Sequence, residues 1–112
     1  LNEKRKILLL GSEHIGEDET LGFEILMNLF ETLIQREDKP YAIILWNKAV
    51  KLLEEGSPLV FYFKHLEDKG VKILAGKLCV NELGISNKMA LGKVATMNEI
   101  LDLILDSEIV SL

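Results

Sequence analysis

The chain has 112 residues, with thirteen Lys and Arg against eighteen Asp and Glu, a net charge of −5 and a single cysteine, Cys79. That length fits one domain over residues 1–112. One thiol excludes an intramolecular disulfide and a cysteine-rich zinc module, and an acidic chain is a poor partner for nucleic acid or an anionic membrane. Nearly half of the residues are apolar, enough for a packed core and against disorder. The longest apolar runs, Ile7 to Leu10 and Tyr41 to Trp46, fall well short of a membrane span. The charged start, Leu1 to Lys6, followed by so short an apolar run, does not make a signal peptide. The missing initiator Met suggests a trimmed chain, and a soluble cytoplasmic protein is expected.

Ile7 to Leu10 predicts a buried strand ending at Gly11-Ser12, and the polar, acidic stretch Ser12 to Glu19 predicts a loop. Helical period follows over Leu21 to Gln35, where Leu26, Leu29, Phe30 and Leu33 keep the i, i+3, i+4, i+7 spacing and Glu24, Asn28 and Glu31 make the polar face. Lys39-Pro40 stops it. Tyr41 to Trp46 is apolar throughout, as a strand covered on both faces must be. Asn47 is expected to cap a short helix from Lys48 to about Glu55, and Gly56 to end it. Ser57-Pro58 predicts a new helix with Ser as N-cap and Pro in the first position, ending at Lys69-Gly70. Val71 to Ala75 predicts a third strand, Gly76 to Lys88 an irregular or briefly helical stretch, and Lys93 to Ala95 a short fourth strand. Thr96-Met97-Asn98-Glu99 has the form of a capping box; its helix runs to about Asp106, and Ser107 to Leu112 closes the chain as a strand. Alternation of this kind argues for a parallel α/β sheet with helices on both faces.

In such sheets ligands bind outside the carboxyl ends of the strands. That rule selects the segments Ser12 to Asp18, Trp46 to Lys48, Ala75 to Cys79, and Ala95-Thr96. The polar groups they carry are Ser12, Glu13, His14, Asn47, Lys77, Cys79 and Thr96. Cys79 is the only strong nucleophile type: a helical turn beginning there, or Lys77 nearby, would favour a thiolate. The alternative is a small buried hydrophobe, consistent with Leu78 and Val80 on either side. His14, with Glu13, Glu17 and Asp18, has no recognised metal-ligand spacing, and no metal is expected; His65 is expected on a helix surface. Gly11, Gly16 and Gly22 form no nucleotide-binding pattern, and no cofactor is expected.

Several segments resemble one family. Gly16-Glu17-Asp18-Glu19-Thr20-Leu21-Gly22 resembles the acidic loop and Leu-Gly helix start of DsrE/DsrF-like proteins, in particular the C-terminal domain of the YedF type, which is sulfurtransferase-like and linked to selenium metabolism. Asn47-Lys48-Ala49-Val50-Lys51-Leu52 with Glu55-Gly56-Ser57-Pro58 is similar to that group's passage from strand end to helix and is the most specific match. Leu66 to Leu74 matches its helix-Gly-strand junction, and Thr96-Met97-Asn98-Glu99-Ile100 its Asn-Met-x-x-Ile segment, with Thr in place of Asn. The resemblance spans nearly the whole chain. It implies a three-layer α/β/α fold with a five-stranded parallel sheet, and assembly into dimers, trimers or hexamers or with other protein partners. It also implies a persulfide carried on a cysteine just after the third strand. The family pattern there is Cys-Gly-x-Cys; here it is Gly76-Lys77-Leu78-Cys79. The first cysteine is Gly76, and a glycine cannot carry sulfur. Two functions follow as expectations: a non-catalytic module that binds a protein partner or small ligand in sulfur or selenium metabolism, or a sulfur-relay carrier with Cys79 as its catalytic residue, loaded by a persulfide donor. The candidate ligand-binding residues are Ser12, His14, Asn47, Gly76, Lys77 and Thr96.

Overall fold

A computed structural model describes residues 4–112; residues 1–3 of the domain expected over 1–112 lie outside the described residues. Five strands, β1 (Arg5–Leu10), β2 (Ala42–Leu45), β3 (Lys72–Gly76), β4 (Lys93–Ala95) and β5 (Ser107–Ser111), form one sheet in the order β4-β3-β2-β1-β5. Every pairing is parallel, with Ile7 beside Ala42, Ile43 beside Ile73, Leu74 beside Lys93 and Ile7 beside Ile109. β2 lies at the centre, and its side chains are buried on both faces. Ile43 and Leu45 join one apolar cluster while Ala42 and Ile44 join the other. That position accounts for the unbroken apolar run in the sequence.

The connections follow from handedness. From β1 to β4 the chain steps one way across the sheet, so right-handed crossovers put α1 (Glu19–Leu33), α2 (Val60–Asp68) and α3 (Lys77–Glu82) on one face. From β4 to β5 it returns the other way, and α4 (Met97–Ile104) therefore covers the opposite face. The result is the three-layer α/β/α arrangement the element order implied. The larger cluster packs Leu26, Phe30, Phe63, Leu66 and Val80 onto β2 and β3; the smaller gathers Ile7, Ala42, Ile44, Leu74 and Ala95 under Ile100. No helix among the described residues is long and apolar enough to cross a membrane.

Three local expectations are corrected. The segment after β2 is a 3-10 helix, Asn47–Leu53, and Asn47 does not cap it. Asn47 is its first residue, at φ +54, a left-handed conformation that Asn tolerates better than most side chains. Ser57 and Pro58 do not open α2, which starts at Val60 with Leu59 as its N-cap; they form a preceding turn in which Ser57 Oγ accepts from the Leu59 N–H at 3.3 Å. A local Ser-to-backbone bond of this type competes with helix continuation. The stretch after β3 is briefly helical, as expected: α3 follows directly on Gly76, and a 3-10 turn covers Ser86–Lys88. α1 begins at Glu19, two residues before the apolar period, because Asp18 accepts the Leu21 N–H at 2.8 Å and caps it.

Candidate functional site

The strand carboxyl ends bring the selected segments to one rim of the molecule, but the structure sorts their residues into separate places. Asn47, Gly76, Lys77 and Cys79 line one cavity of about 310 Å³, together with Trp46, Leu78, Ala95, Met97 and Ile100. Ser12 and His14 line another, of about 330 Å³, with Glu13, Glu19, Phe23 and Lys48. Thr96 belongs to neither set.

Cys79 is the third residue of α3 and half-buried. Its Sγ accepts the main-chain N–H of Asn47 at 3.0 Å. The left-handed turn at Asn47 accompanies this bond, so the 3-10 helix after β2 is tied to the helix after β3 through the thiol. Gly76 has an ordinary extended backbone, φ −60 and ψ 123, so its conformation does not demand glycine. A Cβ there would lie 3.4 Å from Trp46 Cβ and 3.7 Å from Cys79 Sγ. Absence of that side chain leaves room between the base of the Trp46 side chain and the thiol. The walls are otherwise apolar, with Lys77 exposed at the mouth.

The Ser12–Asp18 loop is occupied with its own closure. Ser12 Oγ donates to the His14 carbonyl, and the His14 N–H returns to Ser12 Oγ at 3.3 Å. His14 Nδ1 donates to the Gly16 carbonyl at 2.8 Å, leaving Nε2 3.8 Å from a Glu19 carboxylate oxygen. No group of three His, Cys, Asp or Glu side chains converges as a metal site among the described residues. Thr96 is likewise engaged: its Oγ1 accepts the Glu99 N–H at 3.2 Å and donates to Glu99 Oε1 at 3.1 Å, while its own N–H bonds the same carboxylate at 3.0 Å. These bonds hold the Glu99 carboxyl below its usual value, the Thr96 main-chain N–H first and the hydroxyl second. The capping box expected from the sequence is formed, and it starts α4 beside the cavity, where Met97 and Ile100 contribute walls.

Met97 and Ile100 are lining residues outside the four selected segments, and Trp46, inside one of them, is not among the polar candidates. Period-two alternation along β2 was the available signal for the tryptophan: Ala42 and Ile44 face α4, and Trp46 continues that side. Met97 and Ile100 come from an element far away in sequence, and no local pattern points them at Cys79.

Comparison with solved structures bears on the fold. The chain superposes on YchN from E. coli with a TM-score of 0.71 at 18% identity, covering 96% of this chain and 99% of that one. MTH1491 from Methanobacterium thermoautotrophicum, a protein of unknown function, gives 0.69 at 12% identity with coverage of 96% and 99%. BT1422 from Bacteroides thetaiotaomicron, a conserved protein of unknown function, gives 0.66 at 21% with coverage of 96% and 95%. The fold is DsrE-like. Identities this low carry the architecture and no activity. No family profile matches the sequence, and no curated protein matches it.

A larger groove of about 520 Å³ runs between α4 and strands β3 and β4 and is lined by Tyr41, Lys72, Lys93, Glu99 and Asp102 among others. Its charges are of both signs. Tyr41 is stacked by the Arg5 guanidinium, 4.1 Å from the ring centre. The smaller Cys79 cavity is the better site: it lies at the strand carboxyl ends, its walls are apolar, and it contains the one thiol.

Proposed function

We propose that this chain is a cytoplasmic binding module of DsrE-like fold that takes no covalent part in sulfur transfer. In this reading the Trp46–Cys79 cavity receives a small, largely apolar ligand or an apolar side chain of a partner protein. The observation that carries the proposal is the cavity itself, apolar-walled and widened by Gly76 where the resembling family carries sulfur on cysteine. Its link to sulfur or selenium metabolism rests on the sequence motifs. Trp46 is the only tryptophan and lines the cavity, so its emission reports occupancy. A series of short alkanethiols and alkyl carboxylates is expected to shift that emission saturably in the wild type and in Cys79→Ala alike. Intact mass after incubation with glutathione persulfide is expected to stay unchanged. Absence of any saturable shift from both proteins sinks the proposal.

The second reading, a persulfide carrier, is favoured by one contact: Cys79 Sγ faces the cavity and already accepts a main-chain N–H. The Cys79 thiolate would attack the terminal sulfur of a donor R–S–SH. A bond forms to Sγ, the donor S–S bond breaks, and R–S⁻ leaves; an acceptor thiolate then repeats the exchange on the Cys79 persulfide. A mass gain of one sulfur on wild type and none on Cys79→Ala would establish this reading over the first.

A further inference from the structure

Among the described residues α4 is the one helix on its face of the sheet, and it leaves the β3–β4 half of that face as the groove of about 520 Å³. Leu74 and Ala95 form the floor; both are buried and belong to the cluster under α4. Period two puts Lys72 on the same face as Leu74, and Lys93 pairs with Leu74 in register. The two lysines therefore stand on the groove side, with Cα atoms about 8 Å apart. The facing wall is a flank of α4 that carries Glu99, Asp102 and Leu103 at i, i+3 and i+4. Glu67, near the end of α2, also borders the groove.

Opposite charges thus face each other from strand and helix, and all of them are exposed. They are not paired: the ion pairs among the described residues lie elsewhere, at His14–Glu19 and Arg36–Asp38. Glu99 shows why. The Thr96 N–H and hydroxyl both bond its Oε1. This fixes the carboxylate at the start of α4 and leaves Oε2 without a hydrogen-bond partner among the described residues. After those Thr96 bonds, Lys93 also helps to lower the Glu99 carboxyl, yet it does not close onto it.

Charges of both signs held apart over an apolar floor are complementary to a molecule that carries both. A simple anion would meet Glu67, Glu99 and Asp102, and a simple cation would meet Lys72 and Lys93. Arg5 adds a third cation, stacked on Tyr41 at 4.1 Å from the ring centre. Three cations then stand against three carboxylates, which favours a ligand without net charge. The Tyr41 ring is engaged by Arg5, with Lys72 5.7 Å from its centre, so it calls for no aromatic ligand.

We propose that this groove binds a small aliphatic zwitterion, an amino acid or short peptide, with its carboxylate between Lys72 and Lys93 and its ammonium between Glu99 and Asp102. The aliphatic part lies against Leu103, over Leu74 and Ala95. The volume is within the range of small-molecule sites. The site is distinct from the Trp46–Cys79 cavity, with which it shares only Ala95.

Titration of the isotope-labelled full chain is the test, read by amide shifts at Lys72 to Leu74, Lys93, Asp102 and Leu103, with Trp46 emission followed in parallel. Leucine and leucyl-leucine are expected to shift those amides saturably at millimolar concentration and to leave Trp46 emission in place. The tighter of the two assigns the free amino acid or the peptide. Leucinamide lacks the carboxylate and N-acetyl-leucine the ammonium. Each is expected to bind roughly tenfold more weakly, because one charged contact is left unmade. Lys93→Gln and Asp102→Asn, both at exposed positions, are expected to weaken leucine binding by a similar factor, and Lys93→Arg to retain it. Absence of a saturable shift from either zwitterion up to its solubility limit overturns the proposal. So does equal binding by the one-charge analogues, or a Trp46 shift in place of the groove shifts. The alkyl carboxylates aimed at the Trp46 cavity carry one charge, so that reading and this one can fail separately.

Discussion

Two glycines show how differently one residue type constrains this chain. A Cβ on Gly22 would lie 2.2 Å from the Ile15 carbonyl oxygen, and the Ile15 N–H donates to the Gly22 carbonyl at 3.2 Å. The first turn of α1 is therefore pressed against the loop that carries His14, with main chain on the other side of the contact. Gly22→Ala is expected to lower stability by about 1–3 kcal/mol, the usual range for overpacking, measured by urea unfolding. Gly76 meets only ordinary contacts at 3.4–3.8 Å. Gly76→Ala is expected to be close to neutral in the same assay while narrowing the cavity, so it should slow alkylation of Cys79 in the folded protein. Equal destabilisation by the two substitutions would contradict the packing described. Cys79 itself is best probed by the pH dependence of that alkylation. Modification that stays slow until denaturant is added excludes the carrier reading.

At the level of elements, capping is where sequence and structure agree best and also where they part. The box at Thr96–Glu99 was legible because both halves of it lie within four residues, and the structure forms each of its bonds. Thr96→Ala is expected to destabilise by about 1 kcal/mol. The lowered Glu99 carboxyl gives this cap a pH signature. Its folded value lies below the unfolded one, so its stabilisation is complete above the ordinary carboxylate range and is lost as pH falls through the lowered folded value. The stability gap between wild type and Glu99→Gln should therefore close on acidification through that window; a gap independent of pH would deny the coupling. The Asn47 and Ser57 caps failed for a physical reason. Asn47 is fixed by a bond to Cys79, 32 positions away in sequence, and Ser57 satisfies a nearer N–H within its own turn. Strands, helix count and parallel topology depended on period and turn residues, which are local signals. The cavity depended on where α4 crosses the sheet; the strand-end rule selected the segments that hold Trp46, Asn47, Gly76 to Cys79 and Ala95, but nothing local brought Met97 and Ile100 to them.

Across the whole molecule the two faces of the sheet are unequally covered. One face carries three helices and a large buried cluster that includes the Phe30–Phe63 pair, ring centres 4.9 Å apart. The other carries α4 alone, anchored by the buried Ile100 with Leu103 and Ile104 only partly covered. Segments with few buried apolar contacts open at lower free energy than the global core, so α4 should form the first unit to detach. The consequence reaches the site, because Ile100, Met97 and Ala95 are cavity walls. Ile100→Ala removes about 2–4 kcal/mol of packing. Native-state hydrogen exchange should show that loss in α4 amides far more than in β2 amides, and Cys79 should become more reactive as its cavity opens. Phe63→Ala, on the large cluster, removes about 3–5 kcal/mol and should lower protection throughout, β2 included. If both substitutions depress exchange protection uniformly, the two layers unfold as one unit and the thinner face does not govern access to the thiol.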